Sequence, residues 1–259
     1  MRRRKGVNVL LVIAALLVAS TMAMATEIDP FNSRPVTIGT PPGSEASLQS
    51  ILTDINMGVN AATDQQTAGM WGLSTNVLFT LNVLVVEYAG FAPNNTFGLW
   101  SGDPVTVEVF KGLATGVTDP GGMTAATLSW GSSGLLTISG DCSKVNCGTF
   151  SGINPYSFGW YIYTQEHNTF YSVDALNTDV QGGSPHVLAF RKPDTTDWAF
   201  AFEDVSFPRI PDGGPTDYDY NDGVIHVQSL VPVPEPATLT LLGTGLIGLA
   251  GLVRRKLKK

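Results

Sequence analysis

Two uncharged apolar runs, Val7 to Val18 and Ala237 to Val253, bracket a long middle stretch in which apolar residues recur at short spacing. Early in that stretch Leu48, Ile51, Leu52 and Ile55 recur at helical spacing, with Ser44 placed to cap the start and Gly58 to end the turn, which predicts one amphipathic helix. Beyond about residue 76 the pattern changes. NVLFTLNVLVVEYAG, PVTVEVFKG, SFGWYIYT, PHVLAFRK, TDWAFAFEDV and GVIHVQSLV are rich in β-branched and aromatic residues and are separated by Gly, Pro, Asn and Asp clusters, the signature of strands. Trp198, Phe200 and Phe202 alternate with Ala199 and Ala201, as in a strand with one buried face. Many strands and one helix predict an all-β fold, a jelly-roll-like β-sandwich with one short N-terminal amphipathic helix.

The N-terminal run follows Arg2, Arg3, Arg4 and Lys5 and precedes small residues at Ala23 and Ala25. A basic head, an apolar stretch and a small-residue exit form a secretory signal peptide over residues 1–25; an uncleaved membrane anchor is the alternative. The C-terminal run would be a helix about 26 Å long, enough to span a bilayer's hydrocarbon core. Arg254, Arg255, Lys256, Lys258 and Lys259 follow it, which keeps the tail cytoplasmic and turns the preceding domain outward. The expected order is therefore a signal peptide, an extended arm at 26–43, a β-sandwich at 44–233 and a terminal segment at 234–259 with its span at 237–253.

Removing both ends changes the charge. Four of the 15 basic residues lie in the head and five in the tail, and of the 22 acidic residues only Glu235 lies outside residues 26–233. That segment keeps six basic and 21 acidic residues, a net charge of −15. It should repel nucleic acid and attract cations. Its two cysteines, Cys142 and Cys147, stand in GDCSKVNCG; outside the cytoplasm they are expected to close a small disulfide loop.

The acidic residues concentrate in EDVSFPRIPDGGPTDYDYND, between two predicted strands. A connection this long in a compact domain is usually functional or disordered. If Asp217 to Asn221 is extended, Asp217, Asp219 and Asn221 point one way while Tyr218 and Tyr220 point the other and anchor on the domain. With Glu203, Asp204 and Asp222 they make an oxygen-rich set suited to Ca²⁺, which takes six to eight oxygens. The set is not an EF-hand, because Asp222 stands in place of the turn glycine and Gln228 in place of the bidentate glutamate. The bland alternative is a solvated acidic turn at Asn221-Asp222-Gly223.

Pro234-Glu235-Pro236, followed by the Gly- and Leu-rich run and the basic cluster, resembles the PEP-CTERM sorting signal of Gram-negative bacteria. The resemblance implies an exosortase substrate, exported through an inner-membrane-anchored intermediate to the cell surface or the extracellular medium and associated with exopolysaccharide and biofilm. A permanent single-span anchor is the alternative. Phe202-Glu203-Asp204 followed by Asp217 to Asp222 and Val224-Ile225-His226-Val227 also resembles the FED…DxDYND pattern of a secreted bacterial β-domain of unknown function, which implies an acidic, calcium-binding β-domain with no established reaction.

His167, His186 and His226 are isolated in sequence, and no nucleophile elbow, zinc motif or phosphate loop accompanies them. The expectation is a non-enzymatic protein with a structural or adhesive role. Two alternatives stand beside it. One is a carbohydrate-binding module using Trp71, Trp100 and Trp160; the other is a glycoside hydrolase using a carboxylate pair.

Overall fold

The computed structural model describes residues 34–43, 45–73, 95–102, 105–110, 124–131, 133–179, 183–207 and 218–233, together with the backbone of 80–86. The expected signal peptide, the C-terminal span and its Pro234-Glu235-Pro236 motif, Ser44 and Asp217 lie outside the described residues. Among the described residues no helix is long and apolar enough to cross a membrane.

Among the described residues one α-helix, α1 (Leu48–Asp54), precedes fourteen strands: β1 (Gln66–Thr67), β2 (Trp71–Leu73), β3 (Thr80–Val86), β4 (Thr96–Trp100), β5 (Thr106–Phe110), β6 (Thr124–Trp130), β7 (Leu136–Gly140), β8 (Gly148–Phe150), β9 (Gly159–Tyr163), β10 (Thr169–Tyr171), β11 (Val187–Arg191), β12 (Trp198–Phe202), β13 (Gly223–Val227) and β14 (Leu230–Pro232). They form an eight-stranded sheet in the order β1-β11-β12-β13-β3-β6-β7-β8, a four-stranded sheet in the order β10-β9-β4-β5 and a β14-β2 pair. All pairings are antiparallel. The chain changes sheet repeatedly, as a jelly-roll-like sandwich requires. Each of the six predicted runs contains a strand. β4, β6, β7 and β10 lie outside those runs, because their Thr, Ser and Gly lower the apolar density.

The core between the sheets takes Phe97 and Leu99 from β4, Trp160 and Ile162 from β9, Leu128 from β6, and Phe200, Phe202 and Ile225 from β12 and β13. A second apolar cluster lies on the opposite face of β11 to β13. There Leu188, Phe190, Ala199, Ala201 and Val224 pack against Leu48, Ile51 and Leu52 of α1 and against Phe207 and Tyr220 of the acidic loop. This corrects the one-sided strand expected at 198–202. Ala199 and Ala201 are buried too, their small side chains facing a helix and a loop.

Two helix details also differ from expectation. Ser47 is the N-cap, its hydroxyl accepting from the Ser50 N–H at 3.3 Å. At the other end Asn56 is the first left-handed residue, φ 57°, ahead of Gly58 at 66°; Asn tolerates this conformation better than most side chains.

Cys142 and Cys147 are joined by a disulfide with Cα atoms 5.3 Å apart. It closes the turn between β7 and β8.

Candidate metal centre

The acidic loop leaves the sandwich at Phe202 and returns at Gly223, and these two residues are register partners at the end of the β12–β13 ladder. Pairing them brings Glu203 and Asp204 beside Asp222, although the sequence separates them by eighteen or nineteen positions. One oxygen from each of the three carboxylates lies within 4.8 Å of the other two, and all three residues are buried.

Backbone and side-chain hydrogen bonds fix the corner. Asp204 N–H donates to Asp222 Oδ2 at 2.8 Å. Asp204 Oδ2 accepts from Asn95 Nδ2 at 2.6 Å, and Asn95 Oδ1 accepts from the Gln165 N–H at 3.2 Å. Asn95 immediately precedes β4, so the second sheet also holds the corner. On the return side Asn221 N–H donates to Asp219 Oδ1 at 3.2 Å, and Asn221 Nδ2 donates to the Ala46 carbonyl at 2.9 Å. Asp219 and Asn221 are buried as well, and among the described residues no donor reaches Asn221 Oδ1.

Crowding shapes the electrostatics. Burial first, and then the charges of Glu203 and Asp204, hold the Asp222 carboxyl well above the usual carboxylate range; Asp219 adds to this and the Asp204 N–H opposes it. A carboxylate without compensation resists ionisation in such a place, whereas a bound divalent cation reverses that balance.

The loop is not extended through the expected ligand run. Tyr218 and Tyr220 take left-handed backbone conformations, φ 51° and 54°, which cost energy for bulky side chains and persist only where packing enforces them. The packing is present: Tyr220 is 1% exposed in the second apolar cluster, and the Tyr218 ring stacks on Phe207 at 4.8 Å. The tyrosines thus anchor the loop, but by turning it rather than by simple alternation. Of the six expected ligands, Glu203, Asp204 and Asp222 converge, Asp219 and Asn221 lie buried next to them in the chain, and Asp217 lies outside the described residues.

Three residues of this corner carried no sequence signal. Besides Asn95, they are His186 and Asp179. His186 lies between the rings of Phe170 at 3.5 Å and Phe207 at 4.3 Å. Its Nδ1 lies 3.0 Å from the Glu203 carbonyl and its Nε2 2.8 Å from Asp179 Oδ2. Both neighbours are acceptors, so both nitrogens must carry a proton for both contacts to be hydrogen bonds. Glu203 N–H in turn donates to the His186 carbonyl at 3.0 Å. Burial alone would raise Asp179, but hydrogen bonds from His186, Ser184 and the Phe207 N–H, with the charge of His186, outweigh it and bring the carboxyl down to about 2. This pair clamps the outgoing end of the loop.

Residues 232–256 match the family model of the PEP-CTERM protein-sorting motif. The chain carries a PEP-CTERM sorting motif. The match spans Pro234-Glu235-Pro236, the apolar run and the first of the basic residues. The motif directs export and sorting by an exosortase-type system, with an exosortase as the processing partner. It begins at Pro232 and does not reach the Phe202–Asp222 segment. No curated protein and no solved structure gives a significant match to the chain.

Proposed function

We propose that the chain is a non-enzymatic exported protein whose β-sandwich is steadied by a calcium ion bound at Glu203, Asp204 and Asp222, with a structural or adhesive role in an exopolysaccharide or biofilm matrix. The observation that carries the metal reading is the mutual approach of three buried carboxylates to within 4.8 Å. Oxygens on one Ca²⁺ lie 2.3 to 2.6 Å from it and hence at most about 5 Å from one another, so one ion can touch all three. Asp219 and Asn221 would supply further oxygens from the returning end of the loop, and solvent or carbonyls would complete the shell. Ca²⁺ would offset the repulsion that otherwise keeps Asp222 from ionising.

The sorting motif supports the rest of the reading. The apolar run at 237–253 would hold the exported chain in the inner membrane until an exosortase acts, leaving the domain at the cell surface or released.

Calcium titrated into the full chain should raise its melting temperature at high micromolar to millimolar concentration, the range of extracellular modules. Magnesium should do much less, and Asp219→Ala should weaken the calcium response. A melting temperature indifferent to calcium would remove the metal from the proposal. For sorting, mass spectrometry of the surface or released protein should find a C-terminus short of Lys259; an intact Lys259 would contradict processing.

A further inference from the structure

The four-stranded sheet turns one face into the core, carrying Phe97, Leu99, Val107, Val109, Trp160 and Ile162. Alternation sends the intervening residues to the other face, and register sorts these into three rows. Glu108, Gly98, Tyr161 and Tyr171 form one row across all four strands. Thr106, Trp100 and Gly159 form the row on one side of it, and Thr96, Tyr163 and Thr169 the row on the other.

The two glycines shape this face. A Cβ at Gly98 would fall 2.5 Å from Cε1 of Tyr161, and one at Gly159 would fall 3.0 Å from Cε3 of Trp100. Each ring therefore lies across the glycine of its neighbouring strand instead of standing away from the sheet. The Trp100 and Tyr171 rings are 5.4 Å apart and inclined at 59°. The result is a trough of about 390 Å³ in which Trp100, Tyr163 and Tyr171 present ring edges and faces over the buried Tyr161, while threonine and tyrosine hydroxyls and Glu108 make most of its accessible surface polar.

We propose that this trough binds a single chain of a neutral polysaccharide. A pyranose ring has an apolar C–H face, which packs on an aromatic ring, and a rim of hydroxyls, which pair with threonine, tyrosine and carboxylate oxygens. Rings inclined at 59° suit a strand of sugar lying in a furrow and not a flat crystalline surface. The inner strands β4 and β9 are paired on both sides, so the floor offers no free strand edge for a peptide to extend by β-addition. Glu108 and the −15 charge of residues 26–233 oppose anionic polymers. This goes beyond the calcium reading and does not depend on it, since no trough residue is a candidate metal ligand. It also replaces two of the three expected stacking residues: Trp71 and Trp160 are 1% and 0% exposed, and of the three only Trp100 faces the trough.

Trp71, Trp130, Trp160 and Trp198 are all buried while Trp100 is half-buried, so the fluorescence that iodide can quench comes mainly from Trp100 in the trough. The experiment uses the full chain in a polyoxyethylene detergent without sugar headgroups. It is titrated with hexasaccharides of β-linked glucose, mannose and N-acetylglucosamine, and with polygalacturonate as the acidic probe. At least one neutral hexasaccharide should bind by calorimetry and protect Trp100 from iodide quenching. Trp100→Ala and, separately, the peripheral Tyr163→Ala should each weaken that binding at least tenfold while leaving the calcium-dependent shift in melting temperature unchanged. Binding of none of the neutral probes, binding of polygalacturonate alone, or neutral binding that survives Tyr163→Ala undiminished would overturn the assignment.

Discussion

Asp204 and Asp222 are joined by a hydrogen bond from the backbone of the first to the carboxylate of the second, 2.8 Å long. It closes the loop between β12 and β13 at its base and holds a carboxylate where two others crowd it. Asp222→Asn should keep an acceptor there and remove the cost of burying an ionisable carboxyl beside Glu203 and Asp204. The variant is expected to be more stable than the parent in chelator and to lose most of its stabilisation by calcium. Asp222→Ala should lose the acceptor and cost about 1 to 3 kcal/mol in chelator. Urea denaturation with and without calcium separates the two.

Asp179 and His186 predict an acid limit. The Asp179 carboxyl is lowered in the folded protein to about 2 against an ordinary value near 3.8, so the folded state binds its proton less readily than the unfolded chain does. Its contribution to stability is complete above about pH 4 and is lost as pH falls from there towards 2. The difference in urea midpoint between the parent and Asp179→Asn should therefore shrink as pH falls through that window.

Breaking the same pair at neutral pH should be costly. Asp179→Ala leaves the His186 ring buried against Phe170 and Phe207 without its carboxylate. A loss of about 3 kcal/mol is expected, together with weaker calcium binding, because His186 holds the backbone of Glu203. Thermal melting and calorimetric calcium titration measure the two effects.

Gly223 sets a steric limit beside the carboxylates. A Cβ there would overlap the ring of Phe97, which is buried and packs edge-on against Phe202 at 5.2 Å. Gly223→Ala should cost about 1 to 3 kcal/mol through overpacking and disturb Asp222 next to it. Pairing it with Phe97→Leu should recover part of the stability, which a double-mutant cycle would show.

Sequence by itself determined the class of fold, the location of the helix and the six principal strand runs, because burying one or both faces of a strand writes a short-period apolar pattern that survives without knowledge of partners. It also determined the sorting tail, a linear signal carried by residue identity and order along the chain, and the acidic character of the loop. Tertiary structure alone decided which acids meet. Glu203 and Asp204 approach Asp222 because Phe202 pairs with Gly223, and register is a property of two strands and not of either sequence. The same holds for Asn95, Asp179 and His186, whose roles arise where distant segments cross and leave no periodic trace. It holds again for the aromatic trough, since Trp100, Tyr161 and Tyr171 become neighbours only through the order of four strands, and for Trp71 and Trp160, which alternation and sheet packing turn inward.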